Sequence, residues 1–70
     1  GGTYPAVMNG ANEELVALFL KGKIHFTDIQ KNIEKILDDH KPAYNLTLED
    51  ILEADRQARI KAHTFAEAAL

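Results

Sequence analysis

The sequence predicts an all-α fold, a three-helix antiparallel bundle that forms a single domain over residues 1–70. Apolar residues recur at steps of three and four in three separate stretches, which is the spacing of one buried helix face. A threonine stands just before each stretch (Thr3, Thr27 and Thr47), where a helix N-cap oxygen is favoured. The connections between the stretches have the length that joins antiparallel helices.

The first helix is expected over residues 4–21. Pro5 falls in its first turn, where a missing N–H costs nothing, and Gly22 follows as a left-handed C-terminal stop. Gly10 is the weak point, because glycine inside a helix costs about 1 kcal/mol relative to alanine, so the helix could begin instead at Asn9. The expected buried stripe consists of Met8, Ala11, Leu15, Leu18 and Phe19.

The second helix is expected to start after Thr27, because Thr27-Asp28-Ile29-Gln30 has the form of a capping box. Pro42 ends it, since the residue before a proline is pushed away from helical angles. Its apolar stripe comprises Ile29, Ile33, Ile36, Leu37 and the ring of His40. The charged residues of this stretch are expected to face solvent: Lys31, Glu34, Lys35, Asp38 and Asp39.

The third helix has the clearest start signal. Thr47 is expected to cap it, and Asp50 stands three residues on, where its carboxylate can return the hydrogen bond. The small alanines of its inner stripe let a neighbouring helix come close, and Asp55 interrupts the row. That stripe is expected to contain Leu48, Ile51, Ala58, Ala62, Phe65 and Ala69.

Composition limits the possible functions. A chain of 70 residues buries only about 60% of the surface that its unfolded form exposes, so a self-contained enzyme is not expected. The absence of cysteine excludes disulfides and thiolate metal sites, and the absence of serine excludes a Ser-His-Asp hydrolase. A net charge of -3 argues against nucleic-acid or anionic membrane partners. Without a long apolar run or a signal-peptide pattern, the chain is expected to be soluble and intracellular.

The three histidines, His25, His40 and His63, lack the spacing of a helical metal site, in which Glu and His three residues apart share one helix face. We expect structural or solvent-facing roles for them. The sequence therefore predicts no catalytic, cofactor-binding or metal-binding residue in this chain.

Four polar residues are candidate interdomain contacts. Asn9, Asn12 and Glu13 share one side of the first helix, and Asp55 interrupts the apolar stripe of the third. Two interpretations are open for both groups. They either dock another domain or bond locally, with Arg59 as the ion-pair partner of Asp55.

Three helices with short connections also fit two kinds of binding domain, a DNA-binding helix-turn-helix and a protein-interaction module. A helix-turn-helix DNA reader needs basic and amide side chains at the start of its recognition helix, but the third helix begins with Glu49 and Asp50. No nucleic-acid partner is therefore expected. An independent small helical module for protein–protein interaction remains an alternative, because the alanine-rich face would suit it.

Three segments resemble one known family. PAVMNGANE at residues 5–13, after Gly1-Gly2-Thr3, resembles the start of the C-terminal helical part of 1-deoxy-D-xylulose 5-phosphate reductoisomerases. Residues 19–29 resemble the FLxGxIxFTDI stretch of that family, and TLEDILEADRQAR at residues 47–59 resembles its final helix. The resemblance covers essentially the whole chain. It departs at Gly10, where the family usually has alanine.

The resemblance implies a longer parent enzyme, an oxidoreductase that uses NADPH and Mg or Mn. That enzyme converts 1-deoxy-D-xylulose 5-phosphate to 2-C-methyl-D-erythritol 4-phosphate in non-mevalonate isoprenoid biosynthesis. None of the family's catalytic, metal-binding or nucleotide-binding residues matches a position here. The chain is thus expected to be a non-catalytic C-terminal fragment that supports the catalytic domain of its own parent chain. The resemblance also implies a four-helix bundle, with one helix before Gly1, and a homodimeric parent in the cytoplasm or a plastid.

Overall fold

The computed structural model describes residues 2–41 and 46–68. These ranges contain three helices and no strand: α1 (Tyr4–Leu20), α2 (Phe26–Asp39) and α3 (Leu48–Ala68). The predicted all-α three-helix bundle is confirmed. The expectations for Pro42 and Ala69 lie outside the described residues.

Helices α1 and α2 run antiparallel. The rings of Phe19 and Phe26 meet edge to face at one end of the pair, with their centroids 5.6 Å apart. At the other end, Thr3 Oγ1 lies 2.5 Å from His40 Nε2. Thr3 is the N-cap residue of α1, as expected, but its side chain makes no cap hydrogen bond to the first turn.

Helices α1 and α3 run in the same direction. Gly10 of α1 lies against Asp55 of α3, and Glu14, one turn further along α1, binds Arg59, one turn further along α3. Consecutive helices are therefore antiparallel, with α1 and α3 side by side and parallel.

The core contains small residues from α3 and larger residues from α1. From Ala54 to Ala66, every fourth residue of α3 is a buried alanine, and Ile24 of the first connection and Ile36 of α2 complete the cluster. The partly buried Ile29, Ile33 and Leu37 of α2 pack against this cluster, in agreement with the predicted stripe. The buried residues of α1 and α3 are Val7, Ala11, Leu15, Leu18, Ala54, Ala58, Ala62 and Ala66.

Three expected core residues are exposed. Met8 is 49% exposed, Leu48 is 68% exposed and Ile51 is 39% exposed. Val7 and Ala54 take places in the core instead. In the register set by the α1–α3 contacts, Leu48 is level with the residues just before α1 begins, so no turn of α1 covers it.

The observed helix ends agree in part with those expected from the sequence. Gly22 has a φ of 74°, and its N–H donates to Phe19 O at 2.9 Å, which confirms the left-handed stop. Thr27 is not the cap of α2. Its cap is His25, whose N–H donates to Asp28 Oδ2 at 2.8 Å, so the cap lies two residues earlier than expected.

The predicted start of α3 is confirmed. The N–H of Thr47 donates to Asp50 Oδ2 at 3.0 Å, and the N–H of Asp50 donates to Thr47 Oγ1 at 3.2 Å. These reciprocal bonds form a capping box.

Gly10 does not interrupt α1. The helix is continuous from Tyr4 to Leu20, and Gly10 is buried against α3. A Cβ atom added at Gly10 would lie 2.7 Å from Asp55 Oδ1 and 3.0 Å from Asp55 O. The glycine therefore allows close approach of α1 and α3.

Candidate functional site

A groove runs between α1 and α2 on the surface of the bundle. We call it the α1–α2 groove, and its volume is about 590 Å³. Apolar and polar side chains alternate along it because each helix turns one mixed face toward the groove. It is lined by Pro5, Met8, Asn9, Asn12, Gln30, Ile33, Glu34 and Leu37.

Two of the four candidate interdomain residues, Asn9 and Asn12, line this groove. Both are exposed, and neither side chain makes a hydrogen bond within the part of the chain that the structure describes. Their amides are free to bind water or another molecule. An interdomain role for them stays a prediction.

The other two candidates, Glu13 of α1 and Asp55 of α3, bind the same guanidinium. Arg59 Nη2 lies 2.7 Å from Glu13 Oε2, and Arg59 Nε lies 2.9 Å from Asp55 Oδ2. Glu14 Oε2 accepts a third bond from Arg59 Nη1 at 2.8 Å, and Glu14 Oε1 lies 2.8 Å from His63 Nε2. We call these five residues the Arg59 cluster.

Hydrogen bonds shift the pKa values of two members of the Arg59 cluster. The bonds that Arg59 donates to Asp55, Glu13 and Glu14 raise the pKa of Arg59 above its ordinary value. The bond with His63 is the largest cause that lowers the pKa of Glu14. Burial opposes it, but the bond with Arg59 and the charges of both partners add to the lowering, so the pKa lies below its ordinary value. The cluster can thus join α1 to α3 through an ionised carboxylate and a permanent cation.

The carboxylates of the Arg59 cluster do not fit a divalent metal. Each of the three already binds the guanidinium of Arg59 through one oxygen, so a fixed positive charge lies where a metal ion would repel it. No group of three or more His, Asp or Glu residues within residues 2–41 and 46–68 could hold a metal ion.

The remaining histidines have separate surroundings. His25 caps α2, and His40 lies beside Thr3 and meets the ring of Tyr4 edge to face at 5.2 Å. The structure does not bring His25, His40 and His63 together.

Sequence reasoning missed several contacts. His63 of α3 pairs with Glu14 of α1, a partner that the sequence pattern did not predict. Lys61 Nζ binds Asp39 Oδ2 at 2.6 Å and so ties α3 to the end of α2. No signal in one sequence pairs residues this far apart.

Asn32 is a buried polar residue that a local signal could have revealed. It stands three residues after Ile29 and four before Ile36, within the apolar stripe of α2. Its Nδ2 donates to Asp28 O at 2.8 Å, inside the same helix. The bond satisfies one donor of a side chain that burial would otherwise leave unpaired.

No helix in the described ranges is both long enough and apolar enough to cross a membrane. The fold defines a small all-α domain held by close helix packing and an interhelix ion cluster. A family model described as the DXP reductoisomerase C-terminal domain matches residues 1–61. The chain belongs to this family.

Curated relatives agree with the family model. The chain is 52% identical over 67 residues to the 1-deoxy-D-xylulose 5-phosphate reductoisomerase of Zymomonas mobilis, covering 96% of the chain and 17% of that protein. It is 57% identical over 61 residues to that of a Synechococcus strain, covering 84% of the chain and 15% of the protein. It is 49% identical over 63 residues to the 1-deoxy-D-xylulose 5-phosphate reductoisomerase of an Arthrobacter strain, covering 90% of the chain and 16% of that protein. The chain spans about one sixth of the length of these relatives.

Proposed function

We propose that this chain is a non-catalytic supporting domain of a 1-deoxy-D-xylulose 5-phosphate reductoisomerase. One observation carries the proposal: the family match extends over nearly the whole chain, whereas the chain spans only about one sixth of the relatives. The reaction then belongs to the longer enzyme, an NADPH-dependent oxidoreductase of non-mevalonate isoprenoid biosynthesis that uses Mg or Mn. The parent is a homodimer of the cytoplasm or a plastid in this proposal.

The α1–α2 groove is the proposed contact with the rest of that enzyme. Its apolar side chains, Met8, Ile33 and Leu37, offer a floor on which a further helix of the enzyme packs to complete a four-helix bundle. The exposed amides of Asn9 and Asn12 supply hydrogen bonds at its rim. Glu13 and Asp55 act through Arg59 and hold α1 in place beside α3.

A graft tests the supporting role. The aligned segment of the Zymomonas mobilis enzyme is replaced by this chain, and turnover of 1-deoxy-D-xylulose 5-phosphate is followed by NADPH absorbance with magnesium present. We expect the graft to be active and the same enzyme without the segment to be inactive or unstable. A fully active deletion enzyme, or a folded graft without turnover, overturns the proposal.

Two further experiments test whether the chain is non-catalytic and whether the α1–α2 groove docks the rest of the enzyme. The isolated 70-residue chain, mixed with substrate, NADPH and magnesium, is expected to consume no NADPH, and turnover would contradict a non-catalytic role. In the graft, Asn12→Ala is expected to lower activity or loosen domain docking. Lys35→Ala, which removes an exposed α2 side chain that does not line the groove, serves as the matched control.

A further inference from the structure

We infer that the turn between α1 and α2 carries a second docking surface, made of Leu20, Lys21, Lys23 and Phe26 and named here the turn knob. Its partner is an acidic protein surface with an apolar pocket, on the part of the longer enzyme that this chain does not include. The inference rests on the proposed function and adds a contact that is separate from the α1–α2 groove.

The knob concentrates exposed apolar area. Leu20 is 76% exposed and Phe26 is 71% exposed, the two highest values among the exposed large hydrophobic residues of the described chain. A single exposed hydrophobic residue is ordinary, but these two flank one short turn. Aromatic side chains such as that of Phe26 are enriched in protein interfaces, and the exposed Leu20 adds apolar area nearby in the sequence.

Contacts within the chain hold the ring of Phe26 and the backbone of the knob. The ring of Phe26 rests edge to face on the half-buried ring of Phe19. Gly22 turns the backbone with a φ of 74°, and the N–H of Lys23 donates to Leu18 O at 2.9 Å. A surface that is already ordered loses little conformational freedom when it binds, which favours docking.

Charge identifies the partner. Residues 15–27 contain no Asp or Glu, although the whole chain carries a net charge of -3. The acidic residue that lines the same pocket as Lys21 and Lys23 is Glu67 of α3, which leaves the two lysines in excess there. Lys21 and Lys23 are exposed and have no ion-pair partner in the described residues. A cationic turn on an acidic domain is complementary to an acidic surface, and such complementarity determines which partner docks and in which register.

Two other partners fit less well. An anionic lipid surface would attract the two lysines but repel the rest of a chain with a net charge of -3. Two knobs that face each other across a dimer would bring four lysine side chains together, and like charges in one interface repel. The relatives are about six times longer than this chain, and their remaining length supplies the larger neighbouring surface.

Photo-cross-linking in the graft enzyme tests the knob. The photoreactive residue p-benzoylphenylalanine is placed at Phe26, and in a control at Leu52, an exposed apolar residue of α3. We expect position 26 to cross-link to an acid-rich peptide outside residues 1–70 of the same enzyme. Labelling no stronger than that of the Leu52 control, cross-links between copies, or flotation of the graft with vesicles of anionic phospholipid would each overturn the inference.

Charge reversal gives a second measurement. Lys21→Glu combined with Lys23→Glu is expected to lower the cross-link yield about tenfold, because the lysines would then repel the acidic partner. Lys31→Glu combined with Lys35→Glu makes the same charge change on exposed α2 positions and should leave the yield unchanged. Equal yields from the two pairs would contradict the inference.

Different results would reject the supporting role and the turn knob. An active graft that shows no knob cross-link retains the supporting role and rejects the knob, whereas a folded, inactive graft rejects the supporting role. If the graft does not fold, p-benzoylphenylalanine is placed at Phe26 in the full-length protein that contains this chain. A cross-link that Lys21→Glu combined with Lys23→Glu weakens about tenfold supports the knob, and an unaltered or absent cross-link rejects it.

Discussion

The α1–α3 and α1–α2 interfaces use different side chains to join the same helix to its neighbours. Against α3, helix α1 meets a stripe of alanines and places Gly10 beside Asp55, and the Arg59 cluster binds the edge of the contact. Against α2, it meets larger aliphatic residues and leaves an open groove with free amides. The first interface is closed and internally satisfied, whereas the second still offers surface to a partner.

The closed interface should tolerate added volume least. Ala62→Leu inserts three carbons at a fully buried position, and we expect a loss of about 3 kcal/mol in the free energy of unfolding of the isolated chain. Chemical denaturation followed by circular dichroism measures it. Ala68→Leu, an exposed alanine at the end of the same helix, is the control. Similar stability of both variants would show that α1 and α3 are not closely packed.

Gly10→Ala probes the closest approach of the two helices. Alanine favours the helix by about 1 kcal/mol, but its Cβ would lie 2.7 Å from Asp55 Oδ1, and overpacking costs about 1–3 kcal/mol. We expect a net loss of about 1 kcal/mol, measured by thermal unfolding.

Asp55→Ala provides the matched background for this substitution. Removing the carboxylate removes the nearest obstacle, so Gly10→Ala should be less harmful there. A stabilising effect of Gly10→Ala in the unaltered chain would contradict the close approach.

The Arg59 cluster should make the closed interface sensitive to acid. The pKa of Glu14 is lowered in the folded state by the bond with His63 and by Arg59. The resulting stability is present above the ordinary pKa of 4.5 and is lost as the pH falls through the lower folded value. At neutral pH the unaltered chain should therefore have a higher melting temperature than Glu14→Gln. The difference should shrink as the pH falls into strong acid.

Glu34→Gln is the control for this pH series. Glu34 is exposed and accepts a hydrogen bond only from Gln30 among the described residues. The difference in melting temperature between Glu34→Gln and the unaltered chain should vary less with pH. A constant difference for Glu14→Gln across the series would rule out the expected linkage.

The open interface should show the smallest effect in isolation. Asn12→Ala removes an exposed side chain that makes no hydrogen bond in the described residues, so the free energy of unfolding of the 70-residue chain should change by less than about 0.5 kcal/mol. A larger loss, measured by chemical denaturation, would assign Asn12 a local structural role.

Local patterns predicted the helices well. The Thr47 cap and the Gly22 stop depend on neighbouring residues and could be read directly from the sequence. The cap of α2 was misplaced because two overlapping patterns compete there. Thr27 and Gln30 fit a capping box, but Asp28 bonds the N–H of His25 three residues earlier.

Side-chain exposure and the candidate site were harder to predict. Helical spacing identified Ala58 and Ala62 correctly but also included Leu48, because periodicity does not show where the neighbouring helix begins. The pairing of Arg59 with Asp55 is local and was expected as one alternative. The bonds of Glu14 to Arg59 and His63 join residues 45 and 49 positions apart, which only the folded packing brings together.

The parallel course of α1 and α3 has an electrostatic consequence. Each helix carries about half a negative charge at its carbonyl end, and these two ends lie at the same pole of the bundle as Lys21 and Lys23. Part of the lysine charge therefore offsets the macrodipoles of the molecule itself. Only the remainder is available to attract an acidic surface, so the rate of docking should fall less steeply with salt concentration than two uncompensated lysine charges would produce.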